Sequence, residues 1–273
     1  MNWSRAKTVL IVLLLAVNAF LLVTYITREN SVRRDEVQVR ADVCRILGGQ
    51  GISVSEDVIP LDSVRIRPAI LIEKVDMKRA SERVFSETKE TRSEGSTTYL
   101  GKGGSILLSG DMFSLVCESE EIVENEEDAL RLASDIASKL YIKTERRYFS
   151  CNSEDGGYVV SVPCMLSGVE VFNCGIDIKI SESGSVIASG KFIGKGSLRR
   201  ATGNAMNTSA VMLEFADGIR EAGYTGVKIS RVNLGYMSKG SVSGRVVLTP
   251  VLEAETSVGV FHVDMQTGAF LKI

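Results

Sequence analysis

His262 is the only histidine in the 273-residue chain, so it is the residue to which most side-chain catalysis would have to run. A Ser-His-Asp or Cys-His site needs an imidazole between a nucleophile and an orienting group, and here only this one is on offer. It sits in the alternating run VFHVD, where a side chain on a strand face more often serves packing. A second candidate is the acidic crowd of Glu118, Glu120, Glu121, Glu124, Glu126, Glu127 and Asp128, enough carboxylate to hold calcium loosely or to act as paired acid and base. Three of those charges follow Asn125, a good N-cap, and equally suit the positive end of a helix dipole. The stretch GKFIGKGS looks like a phosphate loop, yet three residues rather than four separate Gly190 from Gly194, and Gly196 stands where a magnesium-binding hydroxyl belongs. Ser86 and Lys89 fit SxxK without the partner motifs of serine acyl enzymes.

Cys44, Cys117, Cys151, Cys164 and Cys174 form an odd set with no CxxC and no metal spacing, and one histidine cannot complete a zinc site with them. They read as structural thiols, with one disulfide among Cys151, Cys164 and Cys174 as the alternative. The inventory gives no catalytic residue, no cofactor and no metal.

The elements that would position these residues begin with an apolar run, TVLIVLLLAVNAFLLVTYI, at residues 8–26, which carries no charge. As a helix its 19 positions span ~28 Å, close to the ~30 Å hydrocarbon core of a bilayer. Backbone in lipid must satisfy its own hydrogen bonds, so this run is expected to be a single transmembrane helix. A cleaved signal peptide is the rival, with Arg5 and Lys7 as a basic leader and Val17-Asn18-Ala19 as a cleavage site. Against it, apolar residues continue through Phe20, Leu21, Leu22, Val23 and Ile26. The N-terminus is expected in the cytoplasm and the remainder outside, because long domains translocate largely regardless of nearby charge such as Arg28, Arg33, Arg34, Arg40 and Arg45. Asn18 places an amide within the apolar run, and such groups bind helices together at roughly 0.6 to 2 kcal/mol.

Setting aside Arg5 and Lys7, the chain has 30 basic residues against 34 acidic, a net of −4 that argues against a nucleic-acid partner. Residues 30–47 predict a helix ended by Gly48-Gly49. After Asn125 a helix is expected with Leu130, Ala133, Ile136, Ala137 and Leu140 on one face. Four strand-like runs follow, separated by EDGG, SG and SESG. A second helix capped at Asn207, Thr208 or Ser209, with Val211, Phe215, Ile219 and Ala222 on one face, precedes VKISRVNLGYM, SGRVVLTPVLEA, VGVFHVD and GAFLKI. The helix starts lie about 81 residues apart, which reads as a repeated unit. The expected fold is α+β: a single N-terminal transmembrane helix, then an extracytoplasmic domain of repeated helix-on-antiparallel-sheet units. Its segments are residues 1–7, a cytoplasmic tail; 8–26, the membrane helix; 27–122, a membrane-proximal subdomain; and 123–200 and 201–273, the two helix-plus-meander units.

The string Asn2-Trp3-Ser4-Arg5-Ala6-Lys7 running into the apolar helix resembles the start of YycI-type regulatory proteins of Gram-positive bacteria. So do Gly51-Ile52-Ser53-Val54 leading to Ile59-Pro60, Val171-Phe172-Asn173 before SESGSV, Leu234-Gly235-Tyr236, Pro250-Val251, and VFHVDMQTGAF. The last is also similar to the end of PepSY-type domains. Two departures stand out: Leu252-Glu253-Ala254 follows Pro250-Val251 where the family often has Trp-Arg, and cysteines are more numerous. The resemblance implies a non-catalytic membrane regulator of a sensor histidine kinase controlling cell-wall metabolism, paired with a related YycH-like protein. It would act through membrane-helix and outer-domain contacts, with Trp3, Asn18 and Tyr236 as interaction positions. The alternative is an anchored peptide- or wall-binding module, or a peptidase inhibitor, of PepSY type.

Overall fold

The computed structural model of the chain describes residues 3–73, 77–119, 121–142, 144–154, 156–191, 193, 196–242 and 245–271. Its first element, α1 (Trp3–Gly49), is one 47-residue helix in which the predicted anchor and the predicted helix over 30–47 are continuous. No proline or glycine interrupts it before Gly48, and Gly51 then reverses the chain at φ +79°.

Among the described residues no helix is long and apolar enough to cross a membrane, which corrects the expected transmembrane helix. The described side chains of the apolar run cover residues 10–25, about 24 Å of helix against a ~30 Å core. Those of Thr8, Val9 and Ile26 lie outside the described residues.

The repeated-unit fold class is also overturned. Strands from every part of the chain join one 15-stranded mixed sheet. They are β1 (Ile52–Ser53), β2 (Ala69–Glu73), β3 (Thr88–Ser93), β4 (Ser96–Gly101), β5 (Gly104–Ser109), β6 (Met112–Glu118), β7 (Ser150–Glu154), β8 (Gly157–Leu166), β9 (Val169–Ser181), β10 (Ser185–Lys191), β11 (Gly196–Arg200), β12 (Val227–Val242), β13 (Arg245–Thr256), β14 (Gly259–Asp264) and β15 (Phe270–Leu271). The main path runs β11-β2-β13-β12-β9-β10-β6-β5-β4-β3. The pairings that break the repeat are non-local: β2 lies between β11 and β13, and β1 runs parallel to β12. Strand β13 is long enough to change neighbour along one edge, pairing with β2 over residues 245–248 and with β14 over residues 251–256. The two halves of the sheet meet through β9 and β12, which run parallel at Val171 and Tyr236. Strand periodicity reveals that a segment is extended but not which edge it will join.

The helices α2 (Met77–Phe85), α3 (Glu126–Lys139) and α4 (Thr208–Glu221) supply apolar faces for the sheet. Asn125 caps α3 by accepting the Asp128 N–H at 3.0 Å, as predicted, and Asn207 caps α4 by accepting the Ala210 N–H at 3.0 Å. From α3, Ala129, Leu132, Ala133, Ile136 and Ala137 enter a core with β5, β6, β8, β9 and β10. From α4, Val211, Met212, Phe215 and Ile219 meet the buried Val43 and Leu47 of α1 and strands β12, β13 and β14. A third cluster, including Leu71, Cys164, Val171, Cys174, Tyr236 and Leu248, seals the junction between the halves.

Candidate functional site

Two places on this scaffold carry groups that could act: the N-terminal part of α1, and a buried polar cluster around His262. In α1, every large apolar side chain from Leu10 to Tyr25 is between 50% (Val17) and 70% (Phe20) exposed, on all sides of the helix. A helix that is apolar all round belongs in lipid or in another protein's apolar surface. Asn18 is exposed in the middle of this segment, and Trp3 is 73% exposed at its start with the Lys7 ammonium 5.4 Å from its ring centroid. The same helix is fixed to the body at its other end by Val43 and Leu47, and Glu36 accepts the Ser63 N–H at 2.9 Å. Whatever holds residues 10–25 is thus mechanically connected to the sheet.

Tyr236, the third expected interaction residue, is elsewhere. It is 6% exposed in the junction cluster, and its hydroxyl donates to the Arg67 carbonyl at 3.0 Å. Burial pushes its phenol above the ordinary value. The side chain pins the loop before β2.

His262 on β14 is 5% exposed and lies opposite Glu253 on β13. Its Nε2 and Glu253 Oε2 are 3.0 Å apart, an arrangement in which the imidazole N–H donates to the carboxylate. Glu253 Oε1 accepts the Asn233 amide at 3.0 Å, and the Phe172 ring tilts against the imidazole at 5.4 Å. Burial works to raise the Glu253 carboxyl, but the hydrogen bonds from His262 and Asn233 and the charges of His262 and Arg231 outweigh it and hold the group below its ordinary value. Neighbouring Glu170 goes the other way: burial, then the Glu253 charge, raise it, and Arg231 offsets only part.

This is an imidazole–carboxylate pair held by an amide, without a hydroxyl or thiol bonded to the imidazole among the described residues. It can store charge and lock a hairpin, but it lacks the nucleophile of a triad. Sequence reasoning found His262 and missed Glu253, Asn233, Glu170 and Arg231. The signal was available, because counting outward from the turn at Ser257-Val258 places Glu253 across from His262.

Beside Phe172 an open cleft of about 640 Å³ is lined by Tyr148, Glu170, Asp177, Lys191 and Arg231 among others. Much of its polarity is already engaged: Ser161 donates to Asp177 at 2.6 Å, and Lys191 pairs with Asp111 at 2.9 Å.

The remaining motifs resolve into ordinary structure. Among the acids before and in α3, Glu121 and Asp128 pair with Arg131, and Glu127 pairs with Arg146; Glu120 lies outside the described residues. No group of three His, Cys, Asp or Glu among the described residues is placed to hold a metal. Ser86 follows α2 in a left-handed conformation while Lys89 lies on β3, so the SxxK residues do not share a helix face. In GKFIGKGS, Gly190 lies on β10 and Gly196 opens β11; Phe192, Gly194 and Lys195 lie outside the described residues. No disulfide joins the described cysteines. Burial raises the Cys44, Cys117 and Cys151 thiols, which makes them poor nucleophiles.

No family model matches the chain, and no curated protein matches it. Among solved structures the chain is similar in fold to an uncharacterized protein from Eubacterium rectale ATCC 33656, at 12% sequence identity and a TM-score of 0.52, with 76% of this chain and 86% of that one covered. The likeness at that identity concerns the fold alone.

Proposed function

We propose that the chain is a non-catalytic, membrane-associated regulator that acts by contact. Residues 10–25 engage a bilayer or a partner's apolar helix, and the folded body biases what is bound there. The observation that carries this reading is the uniform exposure of apolar side chains along residues 10–25, on a helix whose far end is plugged into the body at Leu47. A rigid connection of that kind transmits a shift in one part to the other. The partner class follows from the YycI-type resemblance: a sensor histidine kinase in the cell membrane, with a YycH-like regulator beside it.

The test is photo-crosslinking in membranes from probes placed along residues 10–25, with the captured partners identified, alongside kinase output in cells lacking the gene. Capture of a sensor kinase and an altered output support the proposal. Capture of no kinase together with unchanged output would sink it.

A second reading, an anchored peptide- or wall-binding module, draws on the open cleft beside Phe172, which carries both signs of charge. Exchanging residues 10–25 for an unrelated apolar sequence separates the two. The regulator loses activity, whereas the binding module keeps it.

A further inference from the structure

A second cavity, of about 410 Å³, lies away from both of these places and is lined by Arg65, Arg67, Arg200, Asn204 and Asn207 among others. We propose that it binds a phosphoryl group. The argument begins with charge. Arg65, Arg67 and Arg200, all three exposed, line one cavity, and none of them forms an ion pair with a described carboxylate. Like charges gathered in this way repel, and an anion among them relieves that cost. The acid held against this loop, Asp62, is already committed: its Oδ1 accepts the Ser209 N–H at 2.9 Å and its Oδ2 accepts the Asn207 amide at 3.1 Å. It holds the start of α4, and its single negative charge offsets at most part of the three arginine charges.

The arginines are also mounted on ordered backbone. Arg200 ends β11 opposite Ala69, and the next N–H, of Ala201, donates to the Pro68 carbonyl at 2.9 Å. Arg67 is therefore separated by Pro68 alone from the start of β2, the strand that Arg200 borders, and its own carbonyl is fixed by Tyr236. Guanidinium forks present paired N–H donors that match the oxygens of a phosphate, and a fixed backbone lowers the entropy lost when they close on it.

The phosphoryl group has two sources, a lipid headgroup or a free phosphate. The loop's Ser63 is bonded to Glu36, eleven residues beyond Tyr25 on α1, roughly 16 Å along the helix. The lipid source rests on the membrane reading above; phosphate binding as such does not.

The experiment uses the full chain in an uncharged detergent, titrated with inorganic phosphate by calorimetry. In parallel it is floated with vesicles of phosphatidylcholine alone and of phosphatidylcholine mixed with phosphatidylglycerol. The Arg67→Gln, Arg200→Gln double variant should keep its melting temperature and lose phosphate affinity by about tenfold or more. The Lys pair at the same positions, which keeps charge without the fork, should recover only part. If wild type also floats better with phosphatidylglycerol, and the Gln variant loses that gain while still floating with phosphatidylcholine, the source is a headgroup. Phosphate binding lost in the Gln variant without any phosphatidylglycerol gain assigns a free phosphate. Equal phosphate affinity in wild type and Gln variant overturns the site, and so does wild type that binds neither phosphate nor phosphatidylglycerol.

Discussion

Replacing Leu47 with alanine should loosen the joint between α1 and the body, by an amount the structure allows to be worked out. The side chain is fully buried against α4. Truncation removes three carbons, and at ~0.8 kcal/mol per buried methylene the lost transfer energy is about 2.4 kcal/mol. The void left behind adds to this, carrying buried Leu→Ala losses to roughly 2 to 5 kcal/mol. Leu47 lies in the last turn of α1, next to exposed Gly48 and Gly49, so the helix end can settle partway into the gap. The expected loss is therefore about 3 kcal/mol, in the lower half of that range. Equilibrium urea unfolding of the full chain in uncharged detergent reads the loss as a lower midpoint at unchanged slope. Hydrogen exchange over residues 34–49 should show protection failing there before it fails in the sheet. Ile46→Ala, 45% exposed on the same turn, is the control and should stay within about 0.5 kcal/mol. A loss below about 1 kcal/mol with residues 34–49 still protected would refute the claim that Leu47 fixes α1.

Four further outcomes are expected. Because the folded protein holds the Glu253 carboxyl below its ordinary value, this group stabilises the fold above the unfolded-state pKa and the contribution disappears as pH falls through the lowered folded value; Glu253→Gln should flatten that acid limb in a pH series of unfolding curves. Glu170 is raised, so the sign reverses: Glu170→Gln should stabilise at neutral pH, with the gain fading as acid protonates the wild-type carboxyl. Gly235→Ala would place a Cβ 2.5 Å from the Phe172 ring and 2.7 Å from the Glu170 carbonyl; it should cost about 1 to 3 kcal/mol and shift the single imidazole resonance of His262 in NMR. Asn125→Ala removes the bond to the Asp128 N–H and should cost about 1 kcal/mol by thermal melting, with α3 fraying at its start.

Local chemistry was legible in the sequence, and long-range partnership was not. Asn125 and the acids behind it announced α3, Gly48-Gly49 announced the end of α1, and the alternation in VFHVD announced a strand. These signals act within a turn or a hairpin. The face of α3 was read with Leu130 and Leu140, whereas Leu132 is the more deeply placed of its leucines within the helix, because leucine spacing alone does not say which side of the helix meets the sheet. The apparent repeat failed for a related reason. Two segments with similar hydrophobic patterns need not pair internally, and here β2, from far earlier in the chain, enters beside β13. Of the site, His262 was visible by being unique, while Glu253 and Asn233 resemble any strand residues until the register of β12, β13 and β14 is known. Arg65, Arg67 and Arg200 are likewise unremarkable in sequence and converge only where β11 meets β2.

The position of β2 also sets a timetable for the chain. Its run Ala-Ile-Leu-Ile-Glu has no neighbour until residues 196–200 exist, and its second edge stays open until residues 245–248 arrive, some 175 residues after it was made. Pairings so distant are slow to form, and an apolar strand waiting with bare edges invites pairing with other chains. Assembly of this half is therefore expected to be slow during synthesis, and a chain stopped before β13 should leave an adhesive product that a chaperone would have to shield.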